Sequence, residues 1–221
     1  MQKFDTTAPV LAVLGIPAGR VQLIAADRAD TAVEVRPADA SKGRDVKAAE
    51  QIEVVYGDGV LRITAPDAKN QLFGPSGAVE VTVQLPTGSR VEAKTDGAEL
   101  RVVGRLGDLS FEGAYRQIKI DEAASVRLTA VDGDVEVGRL GGSAQISTAR
   151  GDIRIAEAGR GTLDLRTDSG DITVLAAADI SASLDAGTSH GRIDNALKND
   201  GNAELTIRAT TSNGDITARS L

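Results

Sequence analysis

A repeated phrase in the second half of the chain constrains the fold more than any other feature. Residues 143–174 read SAQISTARGDIRI, AEAGRG, TLDLRTDSGDITV. The pattern apolar-x-apolar-x-Thr-x-x-Gly-Asp-apolar-x-apolar occurs in it twice, nineteen residues apart. Aligning further copies on the Thr places markers at Thr95, Gly113, Ala130, Thr148, Thr167, Thr188 and Thr211. Their spacings are 18, 17, 18, 19, 21 and 23 residues. A period near 20 predicts a solenoid, in which each repeat buries its apolar face only against its neighbours.

Apolar residues alternate before each marker, as in Val126/Leu128, Ala144/Ile146, Leu163/Leu165, Leu184/Ala186 and Ile207/Ala209. A second alternating pair follows the turn: Leu100/Val102, Ile118/Ile120, Val135/Val137, Ile153/Ile155 and Ile172/Val174, then the weaker Ile193/Asn195 and Ile216/Ala218. Strict alternation means a strand with one buried face. Two such strands in every copy predict parallel stacking, with the rest of the coil serving as the crossover that parallel strands need. Leu106, Leu140 and Leu197, with Ala124 and Ala158, mark a smaller third corner. Gly133, Gly151, Gly170, Gly191 and Gly214 recur three residues after the marker, where a sharp corner calls for positive φ. Asp134, Asp152, Asp171 and Asp215 follow them and suit Asx-type turns. Outward positions agree with this register: Lys119, Glu136 and Arg154 share one column, and Lys94 lies beside Glu112 in another.

The fold class expected is therefore all-β, a parallel β-solenoid of about seven short coils over residues 85–221. Residues 1–84 form an irregular β-rich N-terminal cap continuous with it. Within the cap, Val10–Ile16, Arg20–Ala25 and Thr31–Val35 read as strands, and Lys42–Gln51 as a short helix. Gln51–Tyr56 and Val60–Thr64 flank Gly57-Asp58-Gly59, a hairpin signal. A loop spans Asn70–Gly77, and the strand Ala78–Leu85 leads into the coils. Ile16-Pro-Ala-Gly-Arg-Val21 echoes Leu85-Pro-Thr-Gly-Ser-Arg-Val91, so the cap is expected to contain divergent coils.

With a net charge of −7, nonspecific attraction to nucleic acid or to an anionic membrane is disfavoured. The chain has no Cys, hence no disulfide and no thiol metal site, and only five aromatics, Phe4, Tyr56, Phe73, Phe111 and Tyr115. The first residues have one Lys, an early Asp and an apolar run broken by Gly15 and Pro17, which does not read as a secretory signal. No stretch approaches a membrane span, so the expected location is cytoplasmic, without membrane insertion.

The column Glu99, Asp134, Asp152, Asp171, with Asp96, Asp132 and Asp168 nearby, has the chemistry to hold Ca²⁺. It lacks the GGxGxD phrase of calcium-binding β-rolls, and Arg116 and Arg192 interrupt it, so a structural turn role is expected. Paired carboxylates on long β-helices can cleave polysaccharides, but they work in clefts with aromatic platforms, and these short coils have no insertion to build one. His190 stands alone at a turn, and no G-x-S-x-G phrase occurs. The Thr148, Thr167, Thr188 and Thr211 ladder is in phase with the interior and suits hydrogen bonding within the corner. No catalytic, cofactor-binding or metal residue is assigned, and no cofactor is expected.

The GDI/GDV repeats, the IPAGRV opening and the FGPSGAVEV approach resemble the bacterial "putative adhesin" or toast-rack family, β-strand-repeat proteins of unknown function. The resemblance covers nearly the whole chain. It implies a β-solenoid and a non-catalytic binding or scaffold role linked to the bacterial envelope and its stress responses. Alternatives are an exported glycan or host adhesin and a polymerising solenoid similar to the bactofilins. The last coil in sequence carries Leu205, Ile207 and Ile216 and has no evident cover. Its edge, residues 203–221, is expected to take either a protein partner or a second copy.

Overall fold

The computed structural model describes residues 1–66, 77–113 and 117–221. Most of the Asn70–Gly77 loop, with Phe73, Tyr115 and Arg116, lies outside them. The chain is 68% strand and 4% helix, in a long, mostly parallel sheet that does not close on itself, a solenoid-like arrangement. The strands are β1 (Gln2–Asp5), β2 (Leu11–Ala26), β3 (Asp30–Pro37), β4 (Glu53–Gly57), β5 (Val60–Thr64), β6 (Val79–Pro86), β7 (Arg90–Glu112), β8 (Ile118–Thr129) and β9 (Val135–Leu140). They continue with β10 (Ala144–Arg150), β11 (Ile153–Ala158), β12 (Gly161–Ser169), β13 (Ile172–Ala176), β14 (Ala182–His190), β15 (Ile193–Ala196), β16 (Leu205–Asn213) and β17 (Ile216–Ser220). Among the described residues there is one helix, α1 (Gly43–Gln51), where the sequence places it.

Equivalent residues stack on one another. Ala144 pairs with both Val126 and Leu163, and Ile153 pairs with both Val135 and Ile172. The inward column is almost dry: Ile146, Ile153, Leu165 and Ile172 are all buried. Each such side chain contributes roughly 1.5–3 kcal/mol of hydrophobic stabilisation. Outward neighbours pair by charge, as Lys119 with Glu136 at 3.0 Å and Lys94 with Glu112 at 3.1 Å. The third corner differs from expectation in one residue. Leu106 and Leu140 both stack on Ala123, which is buried, while Ala124 is exposed. A register shift between Val102 and Arg105 moves the phase by one.

At the N-terminal end, β2 is a complete coil. Its first half pairs with β5 and β7, and its second half with β6 and β7. Residues 27–66 and 77–86 fold back over its free edge: β3 joins β6 antiparallel, β1 joins β3, and β4 joins β5. The hairpin turn between β4 and β5 uses Asp58 at φ 52° and Gly59 at φ 76°, the geometry of a two-residue type I′ turn.

At the C-terminal end the coils are not stacked in chain order. β12 pairs with β16, and β16 with β14; β13 pairs with β17, and β17 with β15. The final coil of the sequence is thus inserted beneath the one that precedes it. Residues 177–181 step over a vacant place that β16 and β17 fill. The return segment is tied to the step where Ala182 N–H donates to Lys198 O and Glu204 N–H to Ser181 O. Burial explains the choice. Ile207, Ala209, Ile216 and Ala218 are apolar at every inward position and are fully buried. The other copy carries Asn195 in the place that Ala218 holds, and a buried unpaired amide would cost a few kcal/mol. At the end of the rod, Asn195 stays exposed.

Candidate functional site: the open end of the rod

The corner of each coil is a ladder that runs in space through Gly133, Gly151, Gly170, Gly214 and then Gly191. A Cβ on Gly170 would lie 2.1 Å from Gly151 O, one on Gly214 2.0 Å from Gly170 O, and one on Gly191 1.9 Å from Gly214 O. Backbone contact this close leaves no room for a side chain. Positive φ accompanies it at Gly133, Gly151, Gly170 and Gly214, but not at Gly191. Beside the glycines, Thr167 Oγ1 donates to Gly151 O, Thr211 Oγ1 to Gly170 O and Thr188 Oγ1 to Gly214 O, all at 3.0 Å. The threonines serve the corner.

The acidic column is committed in the same way. Asp152 N–H donates to Asp134 Oδ1 at 2.9 Å, Asp171 N–H to Asp152 Oδ1 at 2.8 Å and Asp215 N–H to Asp171 Oδ1 at 2.7 Å. Arg192 ends the ladder. Its N–H donates to Asp215 Oδ1 at 2.8 Å, and its guanidinium meets Asp215 Oδ2 at 3.3 Å. These contacts, the backbone hydrogen bond first, hold the Asp215 carboxyl below its ordinary pKa. Each carboxylate spends one oxygen on backbone, which is a turn role rather than a cation cage. Among the described residues, no group of three or more His, Cys, Asp or Glu is placed to hold a metal ion. His190 is exposed, and its carbonyl accepts from Gly214 N–H.

Leu205, Ile207 and Ile216, the edge residues expected from sequence, are not at an edge. They are at most 1% exposed, and their strands are paired on both sides. The open edge belongs instead to β14 and β15, each of which has one partner among the described strands. The direction of the ladder fixes which backbone groups are free. Val126 N–H donates forward to Ser143 O, and Ile153 N–H forward to Asp171 O. By the same register, the N–H and C=O of Leu184, Ala186, Thr188, Ile193 and Asn195 point out along the rod axis. Between the two edges lies an apolar strip of Leu184, Ala186 and Leu197, half-buried, and Ile193, 46% exposed. The clues in the sequence were the spacings of 21 and 23 residues and the weaker apolar content of this copy.

The opposite end also finishes in strands with a single partner among the described strands, but these pair antiparallel, β1 with β3 and β4 with β5. Its outermost strands, β1 in one layer and β4 in the other, touch through Phe4 and Tyr56, with ring centroids 5.3 Å apart. Lys3 bridges to Asp30 at 2.9 Å, and Arg28 meets the same carboxylate at 2.7 Å. Both cations, Arg28 foremost, hold Asp30 well below the usual carboxylate range. No described helix is long and apolar enough to cross a membrane.

The coil register, the glycine ladder and the antiparallel cap are what a comparison with known families has to match. A family model described as "Toastrack DUF4097" matches residues 16–220. The chain belongs to the Toastrack family. Among solved structures, this Toastrack chain is similar to a "putative adhesin" from Bacteroides fragilis NCTC 9343, with TM-score 0.55 and 14% identity, over 98% of this chain and 95% of that one. It is also similar to a "putative cell adhesion protein" from Clostridium sporogenes ATCC 15579, with TM-score 0.33 and 14% identity, over 100% and 99% of the two chains. No curated protein matches it. The Bacteroides likeness supports the Toastrack fold.

Proposed function

We propose that this Toastrack chain is a non-catalytic protein-binding module, a rigid rod that engages its partner through the open end formed by β14 and β15. The carrying observation is the inequality of the two ends. Both finish in strands with one partner each, but at one end antiparallel β1 and β4 are bridged by the Phe4–Tyr56 contact, while the other leaves the longer β14 edge and exposed Ile193 uncovered. Unpaired edges are a liability unless they are covered or used. The adhesion description of the Bacteroides neighbour is in keeping with binding rather than turnover. The commitment of the acidic column to backbone hydrogen bonds favours it too. The unlike edges of the two ends, antiparallel β1 and β4 against parallel β14 and β15, argue against a bactofilin-like filament, which needs two complementary ends.

Site-specific photo-crosslinking in cells tests the reading. A photoreactive residue at Ile193 is expected to give discrete protein adducts, whereas one at Val55 on the capped end or Arg154 on the outer face gives few. Equal yields at all three positions would refute the end-binding reading.

A further inference from the structure

We infer that the occupant of the open end is a second copy of this chain, joined head to head about a two-fold axis. The inference rests on the end-binding reading above and names its partner. Its first support is the shape of the end. An added peptide strand could cover β14 or β15, but not both, and would leave Ile193 between them in water. Covering both edges and the strip together requires a partner that presents two strand edges about 10 Å apart. The end itself is such a surface. The other end offers only shorter edges, β1 of 4 residues and β4 of 5, so the 9-residue β14 finds an edge of its own length only in a second β14, and the contact is isologous and closes after two chains.

Charge and strand length choose between two ways of placing that axis. With the axis along the strands, β14 would lie on the partner's β15, a nine-residue edge on a four-residue one. Arg192, whose side chain is 90% exposed, would then face its own copy across the corner. With the axis along the sheet normal, β14 pairs antiparallel with β14 and β15 with β15. The corner of one chain, with His190 and Arg192, then sits over the far side of the other. That side carries Asp179, Asp200 and Glu204 against Lys198, all exposed. Edges of equal length pair along their full extent, and Arg192, already paired with Asp215 at 3.3 Å, is moved off its own copy, so we assign the second arrangement.

The axis can be placed on a residue. Ala186 is the middle of β14, and its outward-pointing backbone groups make it a hydrogen-bonded position of the new ladder. It lies two residues before Thr188, while Asn195 lies two residues after Ile193, so both are equidistant from the corner. An axis through Ala186 and Asn195 sets each against its own copy, Leu184 against Thr188 and Ile193 against Leu197. The exposed Ile193 is thereby covered by an apolar side chain.

The chain has no cysteine, so single introduced cysteines report this register directly. In an antiparallel hydrogen-bonded pair, Ala186 lies about 5.5 Å from its copy between Cα atoms, inside the roughly 4.4–6.8 Å that a disulfide spans. Ser183 would lie opposite position 189 and about 20 Å from its own copy. Mild oxidation of purified Ala186→Cys is expected to give mostly disulfide-linked dimer, and Ser183→Cys mostly monomer. Sedimentation of the unmodified chain over a roughly hundredfold concentration range should show monomer and dimer only. Ile193→Lys should give monomer alone while melting like the parent. Equal linking of the two cysteine variants, species beyond the dimer, or monomer at every concentration would overturn the second-copy inference. If monomer is found while Ile193 still photo-crosslinks a different protein, the inference falls and the end-binding reading stands. Loss of both results removes both.

Discussion

The two ends of the rod solve one problem in opposite ways. Both begin with a coil whose free edge needs a cover, and at the C-terminal end the last strands of the chain are not where the rod ends. At the N-terminal end, β2 is covered by β5 and β6, which run parallel to it, and these are covered in turn by antiparallel β4 and β3, with β1 outside β3. At the C-terminal end, β16 and β17 are covered by β14 and β15, which are one more coil of the same kind. An antiparallel return changes strand direction and lets β1 and β4 meet through Phe4 and Tyr56. A parallel coil only moves the edge problem one place along. Only one end of this chain changes topology in this way.

The largest test of that contrast sets Ile207 against Ile193, inward residues of a stacked and of the terminal coil. Ile207→Asp buries an unpaired charge between two strands and is expected to cost about 4 kcal/mol or more, enough to unfold much of the protein. Ile193→Asp, in a residue already 46% exposed, should cost less than about 1 kcal/mol. Denaturant melts measure both. Equal costs would mean that the coil order is wrong. A middle-sized effect is expected at the closed end, where Tyr56→Ala removes the contact between the two layers. A loss of about 1–2 kcal/mol in thermal or denaturant melts is predicted. No loss would show that β1 and β4 are held without the aromatic pair.

The smallest effect concerns Asp215, whose folded pKa lies below its ordinary value of 3.8 because Arg192 binds its anion. A depressed carboxylate stabilises the fold above the unfolded pKa, and that contribution disappears as pH falls through the folded one. The parent should therefore be slightly more stable than Asp215→Asn at neutral pH, with the gap closing as the solution is acidified below pH 3.8. A gap that is independent of pH would remove the Arg192 cap from the account of the open end.

Much of the rod is legible in the sequence because its signals are local. Alternation fixes which face of each strand is inside, and Ile153, Leu165 and Ile172 are buried as the phase requires. The Gly-Asp phrase fixes the corners, and Asp58-Gly59 fixes the hairpin. The Leu106 corner was read one residue out at Ala124, since a register shift between Val102 and Arg105 leaves no mark in the pattern. The candidate site was misplaced for a deeper reason. Every copy offers its neighbours the same two parallel strands, so the repeat specifies that coils stack but not in which order. Chain order was the natural assumption, and it put Leu205, Ile207 and Ile216 at the edge.

By itself, then, the sequence determined the coil, its interior and its corners, because these depend on spacings within about twenty residues. Only the tertiary structure decided which coil would be last. That outcome rests on a difference between alternatives: Asn195 and half-buried Leu184 in water with Ile216 and Ala218 enclosed, or the reverse. Burial is settled across the whole stack, and no single repeat carries it.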